Sequence, residues 1–430
     1  MKFHNQVLLA MVLGAGLGLL LDEQGTLAGL PLLGALTLVG TLFINALKMV
    51  VVPLVTSAII SGITNIGGGT HLGRLGGKTV AYYLLTTLIA VLVGLVLANL
   101  LTPGEVDGQP AGDQLGLSAD TDDALAGMAG RGAGDFAGIL LKALPPNIVA
   151  AAVNGQLLGL IVFALLFGIF LRAADSTGAA RLRETIDGLY ETMMALTLFV
   201  IRFAPLGVFA LAGKTAATTG YEAIEPLAWF FVTVVAALFL HAAVVMPLLI
   251  RLVARRSPVR HARAMMPALL TAFSSASSSA TLPMTLECVE KRAGVSNRSA
   301  SFVLPLGATM NMDGTALYEC VAVLFIAQAY GMDLSIAQQA SVVVIALLTS
   351  IGVAGIPSAS LVAITVILGT LGLPAEAIGL ILATDRLLDM FRTAVNVWGD
   401  SVGAVLVARS EGEEQVLTAD MDDAWRASTS

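Results

Sequence analysis

The chain has 430 residues, 57% of them hydrophobic and only 12% charged, with a formal net charge of −7. A soluble domain carries about a quarter charged residues, and the negative balance with dispersed basic residues argues against nucleic-acid binding. The mean hydropathy of +0.86 and repeated apolar runs beyond the roughly 18 residues that cross a bilayer predict a multi-spanning membrane protein.

In chain order, eight spans are predicted, at 5–21, 37–65, 79–101, 136–172, 187–217, 225–254, 298–330 and 376–409. The first is read as a retained helix rather than a secretory leader, because no clean small-residue cleavage site follows it. His71, Arg74 and Lys78 lie between the second and third spans, Arg172, Arg181 and Arg183 after the fourth, and Arg251, Arg255, Arg256, Arg260 and Arg263 after the sixth. The positive-inside rule places these loops and both termini in the cytoplasm. The outer loop 102–135 is acidic and rich in Gly and Ala, and the tail 410–430 is acidic and polar, so both are expected to be mobile and of little consequence.

The third span contributes Tyr83, Thr86 and Thr87, a weak signal because hydroxyls in membrane helices usually bond to backbone. Two further apolar stretches, 262–295 and 335–372, are interrupted at matching positions by small and polar residues, SSASSSATLP (274–283) and TSIGVAGIPSAS (349–360). Backbone freed at membrane depth must be met by protein or a water-filled cavity. Two such tips in matching places predict re-entrant hairpins, one from each side, whose helix ends reach a shared site. The seventh span holds NMDGTALYE (311–319), where Asn311 and Thr315 share a face and Asp313 points away unless Gly314 allows a break. Burial of a lone carboxyl favours its neutral form, so Glu319 is a candidate proton carrier; a structural hydrogen bond is nearly as good a reading.

The eighth span, DRLLDMFRTAVNVWGD (385–400), carries the most chemistry. At about 100° per residue, Asp385, Asp389, Arg392, Thr393, Asn396 and Asp400 fall in one stripe about 100° wide. Arg386 sits at its edge, where it can snorkel. Charges inside a membrane are functional by default, against the alternative of a self-compensating network. Arg392 neutralises one carboxylate, so the surplus calls for cations or protons. A guanidinium fork suits a carboxylate and a nearby aspartate suits an ammonium group, while Asp400 and Asn396 offer the hard oxygens of a small-cation site.

Together FINALKMVVVPLVTSAIISGI (43–63), SSASSSATLP, NMDGTALYE, GIPSAS and LDMFRTAVNVWGD resemble the dicarboxylate/amino acid:cation symporter family, which includes the excitatory amino acid transporters, over essentially the whole chain. The resemblance implies an all-α membrane protein of eight transmembrane helices plus two re-entrant helical hairpins with inverted repeats. It further implies a homotrimer of the bacterial inner membrane with elevator-type alternating access. Residues 1–78 and 136–217 would be scaffold. Residues 79–101 and 225–409 would form the transport domain, with hairpins 262–295 and 335–372, helices 298–330 and 376–409, the outer loop 102–135 apart and 410–430 as a cytoplasmic tail.

By the same resemblance Arg392 reads the substrate side-chain carboxylate and Asp389 its amino group, with Thr315, Thr393, Asn396, Ser277, Ser278 and backbone at Ile356 completing the site. One Na+ site would use Gly307, Asn311, Asn396 and Asp400; a second Tyr83, Thr86, Thr87, Asn311 and Asp313; a third backbone around Thr309, Met312, Ser350, Ile351 and Val353. Asp400 favours sodium over protons, while Glu319 leaves H+ co-transport and K+ return open. The second arginine usual in the family is missing, its positions being Ala276 and Met390. The expected substrate is therefore aspartate or glutamate. The alternatives are a proton-coupled glutamate or C4-dicarboxylate carrier and an associated anion conductance. A membrane enzyme is disfavoured: the four histidines are scattered, a packed or solvated role suiting each, and Cys288 and Cys320 give no disulfide framework or metal spacing.

Overall fold

The computed structural model describes residues 3–21, 25–27, 30–64, 70–112, 114–115, 117, 144–153, 157–219, 224–350, 360–374 and 377–418. In order these form α1 (Phe3–Leu19), α2 (Leu32–Thr64), α3 (Thr70–Leu101), α4 (Ile148–Val153), α5 (Leu157–Ala173), α6 (Thr177–Ile201), α7 (Ala204–Thr219) and α8 (Ile224–Leu240). There follow α9 (Pro258–Ser275), α10 (Ser278–Glu287), α11 (Asn297–Met310), α12 (Asp313–Ala329), α13 (Ile336–Ser350), α14 (Ser360–Leu371) and α15 (Ile378–Ser410). α8 runs on through π-helical turns at His241–Val245 and Ile250–Ala254, and α10 through one at Cys288–Arg292. Two short antiparallel ribbons pair Thr26–Leu27 with Leu30–Pro31 and Glu105–Val106 with Gln109–Pro110.

Two sets of helices pack mainly among themselves. α2 packs on α5, α6 and α7, and α1 on α7. Gly14 and Gly18 make the last contact close: a Cβ on either would strike the carbonyl oxygen of Phe209 or Gly213. Small residues at that spacing let two membrane helices approach backbone to backbone. In the second set α15 is the axis, packed by α8, α9, α11 and α12, while α12 also meets α3, α13 and α14. α12 is wrapped on every side, and all but one of its residues are buried. A helix buried all round is the natural place for polar groups that must be kept from lipid.

Among the described residues, three helical runs, Arg74–Leu101, Glu225–Ala254 and Asn297–Ala329, are long and apolar enough to cross a membrane. The predicted fifth span, 187–217, is instead two helices, α6 and α7, joined by a turn at Arg202–Phe203. α6 also begins earlier than expected, so Arg181 and Arg183 are helical rather than in a loop. The Arg183 guanidinium donates to the carbonyls of Leu171, Arg172 and Ala174, which closes the end of α5. Cations at a helix C-terminus satisfy carbonyls that have no partner within the helix. Of the predicted fourth span, 136–143 and 154–156 lie outside the described residues, and the remainder holds α4 and most of α5.

Two expectations of mobility fail in part. Beyond α3, Ala111, Leu115 and Leu117 are buried, and Gly104 N–H donates to Gln328 Oε1 at 3.0 Å. Beyond α15, Val416 and Leu417 are buried and Leu417 N–H donates to the Ala293 carbonyl at 2.9 Å. Glu413 accepts from Ser296 N–H at 2.8 Å and from the hydroxyls of Ser296 and Ser299 at 2.7 and 2.5 Å. Arg256 donates to the carbonyls of Glu414 and Val416. Residues 411–418 thus clasp the ends of α8, α10 and α11. Acidic composition alone hid this, because the anchors are two apolar residues and a carboxylate at a helix N-terminus.

Candidate functional site

The site is built where α9–α10, α11–α12 and α3 meet α15. α9 ends at Ala276, left-handed at φ 51°, and Ser277 opens α10 by accepting from Ala280 N–H at 3.2 Å. The serine-rich stretch is therefore a tight helix–turn–helix tip, with Ser278 buried at the start of α10 and Ser277 half-buried. The second tip, 351–359, with Ile351, Val353 and Ile356, lies outside the described residues.

The helix around residues 298–330 breaks at Asn311 and Met312, whose φ/ψ values are −101/83° and −110/51°, rather than at Gly314. Asn396 holds the start of α12. Its Oδ1 accepts from Gly314 N–H at 2.8 Å and Thr315 N–H at 3.4 Å, and its Nδ2 donates to Thr315 Oγ1 at 3.0 Å. Gly314 serves contact instead of bending: a Cβ there would lie 2.6 Å from the Arg392 carbonyl oxygen. The break puts Asp313 in the first turn of α12, where the helix dipole favours a carboxylate.

The stripe on α15 is buried throughout: Asp385, Asp389, Arg392, Thr393, Asn396 and Asp400 are all 6% exposed or less. Arg392 Nη2 lies 3.0 Å from Asp385 Oδ1 and 2.8 Å from Asp389 Oδ1. Its Nη1 donates to Ser360 Oγ at 2.8 Å, and its guanidinium carbon sits 3.9 Å over the Tyr318 ring. A desolvated cation–π contact of this kind is worth about 2 kcal/mol. Thr393 Oγ1 donates to the Asp389 carbonyl at 2.8 Å. Arg386 does not snorkel away: it is 5% exposed, with Nη1 3.4 Å from Asp389 Oδ2. Its i,i+3 spacing from Asp389 was the available signal; placing it by Cβ direction alone left out the reach of a long side chain.

A second cluster of carboxylates, Asp400 on α15 and Asp313 on α12, lies about three helical turns from Asp389. Asn311 Nδ2 donates to Asp400 Oδ1 at 2.9 Å. Thr87 Oγ1 donates to Asp313 Oδ1 at 2.6 Å, and Thr86 Oγ1 lies 3.4 Å from Asn311 Oδ1. Tyr83 donates its hydroxyl to the Val303 carbonyl at 2.7 Å. Gly307 has to be small: a Cβ there would lie 2.6 Å from both Asp400 Oδ1 and the Tyr83 hydroxyl. His241, taken from sequence as packed or solvated, brings Nε2 within 3.3 Å of Asp313 Oδ2, both side chains fully buried. An ionisable residue inside a long apolar run was itself the signal. Among the described residues His241 is the only group able to carry positive charge against Asp313 or Asp400. Two buried carboxylates with hydroxyl and amide groups around them offer the oxygen ligands that a hard cation prefers.

Of the third cation set, only Thr309, Met312 and Ser350 are among the described residues, and no described hydrogen bond joins them. Thr309 is exposed, and its hydroxyl bonds back to the Leu306 carbonyl within α11. Ser350 is buried, and its hydroxyl bonds to the Leu347 carbonyl within α13, while Met312 lies at the helix break. Glu319 is fully buried and accepts from Thr349 Oγ1 at 2.9 Å, which links α12 to the end of α13. Ser360 and Thr349, unmarked by any motif reading as partners of charged groups, become visible only once the second hairpin folds against α12 and α15.

Residues 3–410 match the sodium:dicarboxylate symporter family. The chain is 37% identical over 408 residues to a proton/glutamate-aspartate symporter of Escherichia coli, covering 94% of this chain and 92% of that one. It is 35% identical to human excitatory amino acid transporter 3, covering 96% and 86%. It is 34% identical to a proton/sodium-glutamate symport protein of Bacillus caldotenax, covering 87% of each. With a match spanning nearly its whole length and two buried carboxylate clusters assembled along α15 and the start of α12, the chain is a member of the sodium:dicarboxylate symporter family.

Proposed function

We propose that this protein imports acidic amino acids, aspartate or glutamate, across the bacterial inner membrane, driven by sodium and accompanied by a proton. The observation that carries the reading is the division of charge along α15. Arg392 and Asp389 form a buried cation–anion pair spaced for a substrate carboxylate and ammonium. Asp400 and Asp313 lie next to them with hydrogen-bond donors but no arginine or lysine among the described residues. Substrate exchanges partners within the first cluster and brings one further negative charge, while coupling ions neutralise the second, so neither is comfortable loaded alone. This is the physical basis of symport: the doubly loaded site hides its charges and can move through a low-dielectric environment. Thr315, Thr393, Asn396 and the tip at Ser277, Ser278 and Ile356 complete the substrate pocket in this reading. Gly307, Asn311, Asn396 and Asp400 hold one sodium ion, and Tyr83, Thr86, Thr87, Asn311 and Asp313 a second. A third ion is held around Thr309, Met312, Ser350, Ile351 and Val353.

In this account α1, α2 and α4–α7 are the fixed scaffold of a homotrimer, and α3 with α8–α15 is the unit that slides. The contact pattern supports the division, since each set packs chiefly within itself. A second reading, a proton-coupled glutamate or C4-dicarboxylate carrier, is supported by Glu319, buried against Thr349 where it can carry a proton between states. Uptake of radiolabelled aspartate into proteoliposomes, with Na+, H+ and K+ gradients imposed separately, separates the two. Uptake that follows the sodium gradient supports the first. Uptake driven by a pH gradient without sodium, with competition by succinate, replaces it with the second.

A further inference from the structure

The buried charges around the substrate pair do not stop at Arg392. Asp385 and Asp389 both lean on one nitrogen of that guanidinium, at 3.0 and 2.8 Å. If a substrate carboxylate takes Arg392 in a fork, it competes for the nitrogen that both aspartates use. Something else must then keep Asp389 charged and in place for the substrate ammonium. Arg386 is the cation within reach: it is buried and approaches the other oxygen of Asp389, Oδ2, at 3.4 Å. Counted together, Asp385, Asp389, Arg386 and Arg392 sum to zero, and an acidic amino acid adds a single negative charge. Without Arg386 the same site would be negative before substrate arrived.

We propose that Arg386 is a positioning and specificity-determining residue of the substrate site: it holds Asp389 by Oδ2 and supplies the second positive charge that lets this site accept an acidic rather than a neutral amino acid. The proposal rests on the reading of Arg392 and Asp389 as the substrate pair. It also accounts for Ala276 and Met390, the positions without an arginine. Arg386 and Met390 are one helical turn apart on α15, so a guanidinium from either position serves the same patch beside Asp389.

The test is transport by purified, reconstituted full-length protein carrying Arg386→Gln, alone and with Met390→Arg. Folding is monitored by the melting temperature without substrate. Removing one partner from a buried charge group is strongly unfavourable, so R386Q is expected to raise the KM for aspartate at least tenfold, about the scale of a lost charge-assisted contact. At saturating aspartate the half-saturating sodium concentration should change by less than about twofold, because Arg386 lies about four helical turns from Asp400. Inhibition by asparagine should weaken much less than aspartate affinity, since the lost element is charge; a merely structural role would weaken both alike. The double variant R386Q/M390R should recover aspartate affinity. An unchanged aspartate KM in folded R386Q overturns the proposal, as does equal weakening for aspartate and asparagine. If R386Q does not fold, the double variant decides: folding with recovered affinity supports the proposal, whereas folding without it, or no folding, overturns it. Failure of the wild-type protein to take up aspartate would instead defeat the substrate reading itself.

Discussion

Two carboxylate clusters beside α15, about three helical turns apart from Asp389 to Asp400, are balanced in opposite ways. Asp385 and Asp389 meet two guanidiniums, Arg392 and Arg386, at 2.8 to 3.4 Å. Asp400 and Asp313 meet an amide, a threonine hydroxyl and one histidine. Burial is equally deep in both, so depth does not separate them. What separates them is whether the compensating charge is covalently part of the chain. Where it is, an incoming zwitterion exchanges partners with the protein; where it is not, a diffusible cation must come with it.

The hardest blow to this comparison is Arg392→Ala. It leaves Asp385 and Asp389 buried without the guanidinium they share, a change that ordinarily costs about 3–5 kcal/mol. Aspartate uptake is expected to fall by more than about a hundredfold, while sodium still protects the protein in a thermal-shift assay. Uptake near the wild-type level would remove Arg392 from the substrate site.

Asp400→Asn attacks the other cluster alone. It keeps the shape and the contact with Asn311 but deletes the charge. The half-saturating sodium concentration should rise about tenfold, equivalent to about 1.4 kcal/mol, with the aspartate KM at saturating sodium nearly unchanged. An equal rise in both would mean that the clusters act as one site.

Glu319 lies in neither cluster and sharpens the contrast as a third kind of charge, held by a single described hydrogen bond from Thr349. Glu319→Gln keeps an acceptor for that bond and removes the exchangeable proton. Uptake measured across pH 5.5–8.5, a range of about three units around the physiological value, is expected to flatten. A profile that keeps its wild-type slope would assign the proton elsewhere.

The smallest effect is expected at the clasp beyond α15. Lys78 and Arg74 donate to the Glu411 carboxylate at 2.6 and 2.7 Å and hold it down at about 2, from an ordinary value of 4.5. Its folded-state pKa is depressed, so the contact stabilises the protein fully above the ordinary value and fades as pH falls through that window toward 2. Glu411→Gln should lower the melting temperature at pH 7 by on the order of 1 °C, since Arg74 is largely exposed and the pair is screened by solvent. The difference from wild type should shrink as pH falls below about 4. A gap that persists at low pH would assign the effect to packing.

Much of the site was legible because a helix projects sequence spacing onto a face. Asp385 to Asp400 could be placed on one stripe before any fold was known, and every member is buried. Local chemistry also carried the first hairpin: Ser277 and the residues around it cannot continue a lipid-facing helix. Arg386 and His241 show the limit. One lies at the edge of the stripe and the other stands alone in an apolar run, and each acquires a role only through a partner aspartate that its reach or another helix supplies.

Position along the chain and helical periodicity therefore determined which residues would be polar, buried and on a common face, because those depend on rise and rotation per residue alone. The tertiary structure decided which charge met which. The break at Asn311 and Met312 swung Asp313 toward Thr87 and His241, and the return of α14 put Ser360 on Arg392. The clasp bound Glu413 to the start of α11. Such pairings span tens to hundreds of residues, and no local periodicity encodes them: electrostatic and hydrogen-bond energies depend on distances that only the packed fold brings within about 3 Å.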